Sequence, residues 1–231
     1  MTKLIETPEA LNQRRRYGVM DDFLAFTDGD LWTVAASDAG TAVATDAAGG
    51  MLELAPSDET AGDNDEIYVR STQAPFNLAA GRPLVLEARL QFSDVVGDAA
   101  NVLVGLLDAV TADALQDDGG GPPDQYTGAV LFKVDGETQW RCETSVAGTQ
   151  TDVKTDRTAG GADFQTLRIE LQPVTATLCE AKFFVNDLLV AKHSGVAVAP
   201  SVPLYAVVGI KAGNATPQLL KVDYFAVYQL R

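Results

Sequence analysis

Histidine occurs once, at His193, cysteine only twice, at Cys142 and Cys179, and 17 lysines and arginines face 32 aspartates and glutamates. Each scarcity excludes a class of chemistry. One histidine cannot build a His-rich metal site and leaves a Ser-His-Asp triad a single centre. The spacing around His193 suggests no orienting carboxylate or oxyanion donors, so it reads as a strand-end residue. The two cysteines lie far apart with no metal-ligand spacing. They read as buried thiols packing as small hydrophobes, with a disulfide across facing strands as the alternative that a reducing compartment disfavours. A formal charge of −15 repels phosphate backbones and anionic lipid, so neither nucleic acid nor membrane is an expected partner. No eighteen apolar residues run together, and the opening Met1 to Pro8 lacks the apolar stretch of a signal peptide, so synthesis in a cytoplasm is expected.

What the chain does have is material for a core. Hydrophobic residues make up 46% of 231, a length that one all-β sandwich can fill. The reading is an N-terminal arm over residues 1–20 and one β domain over 21–231. The arm concentrates Arg14, Arg15, Arg16 and Tyr17, and a helical turn from Pro8 to Arg16 is expected there, capped by Thr7.

From about residue 31 the signals are strands between Gly-rich, polar turns. Leu84, Leu86, Ala88, Leu90 and Phe92 alternate with Val85, Glu87, Arg89 and Gln91, and Leu167, Ile169 and Leu171 alternate with Arg168, Glu170 and Gln172. These are half-buried antiparallel strands. Further strands are expected at Gly50 to Ala55, Ile67 to Ser71, Asn101 to Asp108, Leu204 to Lys211 and Leu219 to Gln229. Val102 to Leu107 is apolar on both faces and so should be covered on both sides. Asp135-Gly136 and Asn186-Asp187 are expected as two-residue hairpin turns, the second pairing Val185 with Leu188 and Phe183 with Val190. Ala109 to Gln125, with Gly119-Gly120-Gly121-Pro122-Pro123, reads as a loop or flap with one helical turn at Ala109 to Leu115. More than ten strands without intervening helices indicate an antiparallel two-sheet sandwich.

Three C-terminal segments, Phe164 to Glu170, Lys182 to Val190 and Leu220 to Gln229, resemble the closing strands of concanavalin A-like jelly-roll sandwiches, which include laminarinase-like glucanases and their non-catalytic relatives. Tyr126-Thr127-Gly128-Ala129-Val130-Leu131-Phe132-Lys133-Val134-Asp135-Gly136 resembles a pattern in tailed-bacteriophage structural proteins, including capsid cement or decoration proteins. The first resemblance implies the fold. The second implies a non-enzymatic virion protein on a bacteriophage capsid surface, with the major capsid protein or another virion protein as partner and a homo-oligomer as an alternative assembly. Arg14, Arg15, Arg16 and Tyr17 would then be the capsid-binding residues, the arginines clamping an acidic protein surface through bidentate contacts, with a solvated charge run as the alternative.

Two other functions compete. A laminarinase-like hydrolase needs carboxylates at alternate positions of one strand, and neither Glu87-Ala88-Arg89 nor Glu170-Leu171-Gln172 supplies them, so catalysis does not follow from the resemblance. A carbohydrate-binding module or phage tail lectin needs exposed rings beside polar donors. Of Trp32, Tyr68, Tyr126 and Trp140, Tyr126 beside the Gly-Pro loop is the expected sugar contact, while Trp140 shares a face with Cys142 and reads as core. No cofactor is expected. Calcium is the alternative, with Asp21-Asp22, Asp28-Gly29-Asp30 and Asp223 as oxygen ligands, against their ordinary role as turn formers and surface charges.

Overall fold

The computed structural model describes residues 16–37, 39–45, 48–57, 62–92 and 97–231. Sixteen strands form two antiparallel sheets among these residues. The first sheet runs β14 (Leu188–Ala197), β13 (Leu178–Val185), β12 (Gln165–Pro173), β7 (Leu84–Phe92), β16 (Leu220–Leu230), β4 (Leu52–Ala55), β3 (Thr41–Ala44), with β1 (Arg16–Asp21) also on β16. The second runs β11 (Thr149–Thr158), β10 (Gln139–Val146), β9 (Gly128–Lys133), β8 (Ala100–Leu107), β15 (Ala199–Ala212), β5 (Glu66–Ser71), β2 (Trp32–Ala36), with β6 (Phe76–Leu78) also on β15.

The period-two pattern dictates which residues meet between the sheets. Leu84, Leu86, Ala88, Leu90 and Phe92 of β7 are buried and face Val102, Val104 and Leu106 of β8 and Ala206, Val208 and Ile210 of β15 in one core. Trp140 and Cys142 join that core, with the Trp140 ring edge-on to Phe92. Both cysteines are buried free thiols, and burial pushes the Cys179 thiol up to about 11.

Two expectations near the N-terminus change. Residues 16–20 were expected in an arm, but Arg16–Asp21 pairs along β16, with Tyr17 opposite Gln229 and Val19 opposite Val227. Tyr17 and Val19 supply the reason, since both pack against the core and Tyr17 stacks on Phe76. Gly18 permits the approach: at φ 151° it lies against β16, where a Cβ would collide with the Val227 carbonyl. Arg14 and Arg15 lie outside the described residues, as does most of the expected turn from Pro8, while Arg16 is extended.

The hairpins differ in the same instructive way. At Asn186-Asp187 both central residues take positive φ, 49° and 62°, and Val185 pairs with Leu188 as expected. A bulge then intervenes between Phe183 and Phe184, so Phe183 pairs with Ala191 instead of Val190. One slipped residue exchanges the two faces of a strand. His193, expected at a strand end, thereby enters the core opposite Ala181 and is 3% exposed. Asp135-Gly136 does form the expected turn, closed by Glu137 N–H to the Val134 carbonyl at 3.1 Å, but strands β9 and β10 pair only from Phe132 and Arg141 onward, so it is no two-residue hairpin. Only Gly136 takes positive φ, and the loop from Val134 to Thr138 is tied to the start of β8 through Asp135 N–H to Asn101 Oδ1 and Gly136 N–H to the Asp98 carbonyl.

His193 Nδ1 shares a 2.9 Å hydrogen bond with Thr144 Oγ1, its ring lies 5.0 Å from that of Phe183, and Nε2 has no hydrogen-bond partner among the described residues. Burial holds its pKa below the ordinary value, against the opposing field of Asp152. A depressed histidine contributes stability present above the unfolded value, near 6.5, and lost as pH falls through the folded one. The difference in melting temperature between the protein and its His193→Asn variant should therefore shift toward the variant on acidification below about pH 6.5. A pH-independent difference would contradict a neutral His193.

Candidate functional site

The second sheet has a second apolar surface, on its outer face. Along β8, Leu103 and Leu107 point away from the main core, as do Val130 and Phe132 of β9, Val207 of β15 and Tyr68 of β5. Gly209 of β15 leaves room for Tyr68, because a Cβ there would collide with its ring. What covers this face is the flap over residues 109–125, through Val110, Ala114 and Leu115. Covering on both sides explains the unbroken apolar run of β8. The helical turn expected at Ala109 to Leu115 is not formed; the flap's regular element is a 3-10 turn at Asp117–Gly119. Backbone ties replace it.

Those ties converge on Lys211 of β15, which is 1% exposed. Its ammonium donates to Asp113 Oδ1 at 2.8 Å and to the Leu115 carbonyl at 3.0 Å, pairs closely with Asp117, and lies 3.5 Å from Glu66 Oε2. Glu66, also 1% exposed, accepts the Asp113 N–H at 2.7 Å, and the Tyr68 hydroxyl accepts the Leu115 N–H at 3.1 Å. Burial raises the Glu66 pKa. Burial alone would lower that of Lys211, but Asp113 and Asp117 outweigh it and keep the ammonium charged.

The flap leaves one polar cavity, of about 200 Å³, between its Gly119 to Asp124 end and strands β9, β10 and β11. Alternation on β10 puts Arg141, Glu143 and Ser145 on this face, and the tight turn at Ala147-Gly148, with φ 49° and 82°, returns Gln150 and Asp152 beside them. Glu143 and Asp152 are register partners. Gln150 Nε2 donates to Glu143 Oε1 at 3.0 Å and to the Pro123 carbonyl at 3.2 Å, joining the sheet to the flap. Arg141 pairs closely with Asp152, reaches Glu137 at 2.9 Å, and lies 5.9 Å from the Phe132 ring, which lines the cavity.

Glu143 is 7% exposed, and burial, reinforced by Asp152, pushes its carboxyl up to about 7 despite the Tyr126 hydroxyl, Arg141 and Gln150. An acid raised in the fold is bound more tightly to its proton there than in the unfolded chain. Its contribution is fully present below about 4.5, is lost as pH rises through about 7, and amounts to roughly 3 kcal/mol. Glu143→Gln, which keeps a partner for Gln150, should therefore raise stability at pH 8 by up to that amount and change it little at pH 4.5. Urea unfolding at the two values measures this, and equal effects at both would place an ionised Glu143 in water.

The residues singled out from sequence are not brought together here. Tyr126 is not an exposed ring: it is 4% exposed and packs into the outer-face cluster with Val110, Ala114 and Leu115 of the flap. Trp32, Tyr68 and Trp140 are buried as well. Arg16 and Tyr17 stand on β1. Of the oxygen ligands proposed for calcium, Asp21 accepts Phe23 N–H and Trp32 Nε1–H, Asp28 accepts Val34 N–H, and Asp223 pairs with Arg89. No group of three or more His, Cys, Asp or Glu side chains converges for a metal among the described residues.

No family model matches the chain, and no curated protein matches it in sequence. Solved structures do match its fold. An endo-1,3-β-glucanase from Streptomyces sioyaensis aligns at 15% identity and a TM-score of 0.59, over 94% of this chain and 97% of the glucanase. The Emp46p carbohydrate recognition domain aligns at 13% and 0.60, over 91% and 95%. An endo-β-1,4-glucuronan lyase from the fungus Trichoderma reesei aligns at 12% and 0.60, over 90% and 94%. At these identities the likeness carries the fold and nothing finer: an all-β, two-sheet antiparallel sandwich of the concanavalin-like jelly-roll type, an architecture that serves lectin domains and polysaccharide-cleaving enzymes alike.

Proposed function

We propose that the protein is a carbohydrate-binding sandwich without catalytic activity, and that a single sugar unit binds in the cavity between the flap and strands β10 and β11. The observation that carries this reading is the preset array of Arg141, Glu143, Gln150 and Asp152 beside the Phe132 ring. Paired carboxylate, amide and guanidinium groups suit vicinal hydroxyls, and their mutual bonds fix them before a ligand arrives. Neighbouring folds that recognise or cleave carbohydrate support it over the capsid-cement reading.

Against an enzyme stands the placement of the acids. Asp152 is engaged by Arg141 and so is not a free nucleophile or base beside Glu143, and the flap covers the outer face of the second sheet next to the pair. Turnover of a β-glucan or β-glucuronan by pure protein would reverse that assignment.

A glycan array followed by calorimetry on the best ligand is the test. Binding should weaken at least about tenfold in Asp152→Ala and in Gln150→Ala. Tyr126→Ala is unsuitable as a control, since it removes a buried ring. An array with no bound glycan sinks the reading. The capsid-cement alternative rests on a separate observation, the basic side chains where the arm meets β1. It requires the pure protein to add to capsids and raise their melting temperature.

A further inference from the structure

In so acidic a chain, nearly every cation should find a carboxylate. Lys154, Lys182, Lys192, Lys211 and Lys221 do, as do Arg89, Arg141, Arg157 and Arg168. Four arginines have no ion pair among the described residues: Arg70, which lies over Tyr205, and Arg16, Arg82 and Arg231. Of the last three, Arg82 and Arg231 lie near Tyr17, and Arg16 precedes it in β1. Arg16 begins β1 and lies 4.8 Å from the Tyr228 ring, Arg231 lies 5.9 Å from the Tyr17 ring, and Arg82 and Arg231 both act electrostatically on the Tyr17 hydroxyl. That hydroxyl is fixed by Gln229 Oε1 at 2.6 Å and the Pro75 carbonyl at 3.0 Å, so the ring is held in place.

Backbone geometry adds an independent observation. β1 hydrogen-bonds along β16 on one side, and no described strand pairs with its other edge. Its side chains border an open groove of about 430 Å³ lined by Arg16, Tyr17, Gly18, Met20, Tyr228 and Arg231, with Met20 53% exposed. An unpaired strand edge is a template for another extended segment. Three unpaired guanidiniums choose the charge of that segment, because arginine forms planar two-point bonds with carboxylates.

We infer that the free edge of β1 and the groove beside it dock an acidic, extended polypeptide segment of a partner protein, which adds as a strand while its carboxylates engage Arg16, Arg82 and Arg231. The opposing charges match: the chain is strongly acidic as a whole, and three of the four arginines that have no ion pair among the described residues stand at this corner. The site is separate from the cavity at β10 and β11, so either assignment can fail without the other.

The test uses the full chain and a short acetylated peptide alternating glutamate with threonine, read by fluorescence anisotropy. The acidic peptide should bind, its glutamine counterpart should bind at least about tenfold more weakly, and the complex should weaken steeply as salt rises to about 0.5 M. The combined variant Arg16→Gln, Arg82→Gln, Arg231→Gln should lose at least about tenfold in affinity while glycan binding and melting temperature persist. Should that variant fold poorly, N-methylation of alternate backbone nitrogens in the peptide tests the strand addition on the unaltered protein and should abolish binding. Equal binding of acidic and neutral peptides, binding unchanged by N-methylation or by the triple variant, or binding of heparin but not of the acidic peptide would overturn the proposal.

Discussion

Phe183→Ala should destabilise the protein by about 3–5 kcal/mol, the range for removing a large ring from a close-packed core. Phe183 is fully buried in the main core, pairs with Ile169 on one side and Ala191 on the other, and supports the His193 ring. Truncation leaves a void bounded by two strands whose backbones are held in the sheet, so the site cannot collapse freely. The contrasting residue is Glu180 on the same strand, whose carboxylate lies on the opposite face and pairs with Lys182 and Lys192 at the surface. Glu180→Ala should leave stability nearly unchanged, since exposed pairs contribute little. Chemical unfolding of the two variants measures the contrast. Equal losses would mean that the bulge after Phe183 is misplaced and that the ring does not face the core.

Why some elements were legible in the sequence and others were not follows from what each is made of. β7 and β12 bury one face only, so alternation alone identifies them, and the apolar run of β8 correctly implies cover on both sides. β11 is nearly all polar and exposed, and carries no such signal. Without it the turn at Ala147-Gly148 was not recognisable either, since alanine seldom takes positive φ, and so the pairing of Glu143 with Asp152 stayed hidden. His193 and Tyr126 were misplaced for different reasons. A bulge moved the first inward, and the flap joined the second in the outer-face cluster, neither being a property of the local pattern. The Arg141-x-Glu143-x-Ser145 alternation was the one available sign of the cavity.

Replacing Lys211 with alanine should cost about 3–5 kcal/mol, as expected when one member of a buried ionic group is removed and the other is left without compensation. The loss falls on Glu66 more than on the flap acids: Asp113 and Asp117 are more than half exposed and return to water, whereas Glu66 is 1% exposed, and without the ammonium it can only take up a proton. The cost of Lys211→Ala should therefore be smaller at pH 5 than at pH 8, because Glu66, already raised by burial, is then neutral more of the time. Loss of the clamp should also free the flap, seen as faster amide exchange at Asp113 and Leu115, whose N–H groups bond to Glu66 and to Tyr68. The double variant Lys211→Met, Glu66→Met separates charge from packing. It removes both buried charges, and its stability should lie well above that of Lys211→Ala and close to that of the parent, while the flap, still held by Val110, Ala114 and Leu115, remains closed. If the double variant were as unstable as the single one, the flap would be held by the ionic bonds themselves. Amide exchange at Leu115, whose acceptor Tyr68 is unchanged in both variants, reads that distinction directly, and the cavity at Arg141, Glu143, Gln150 and Asp152, whose roof is the far end of the same flap, should keep its ligand only in the double variant.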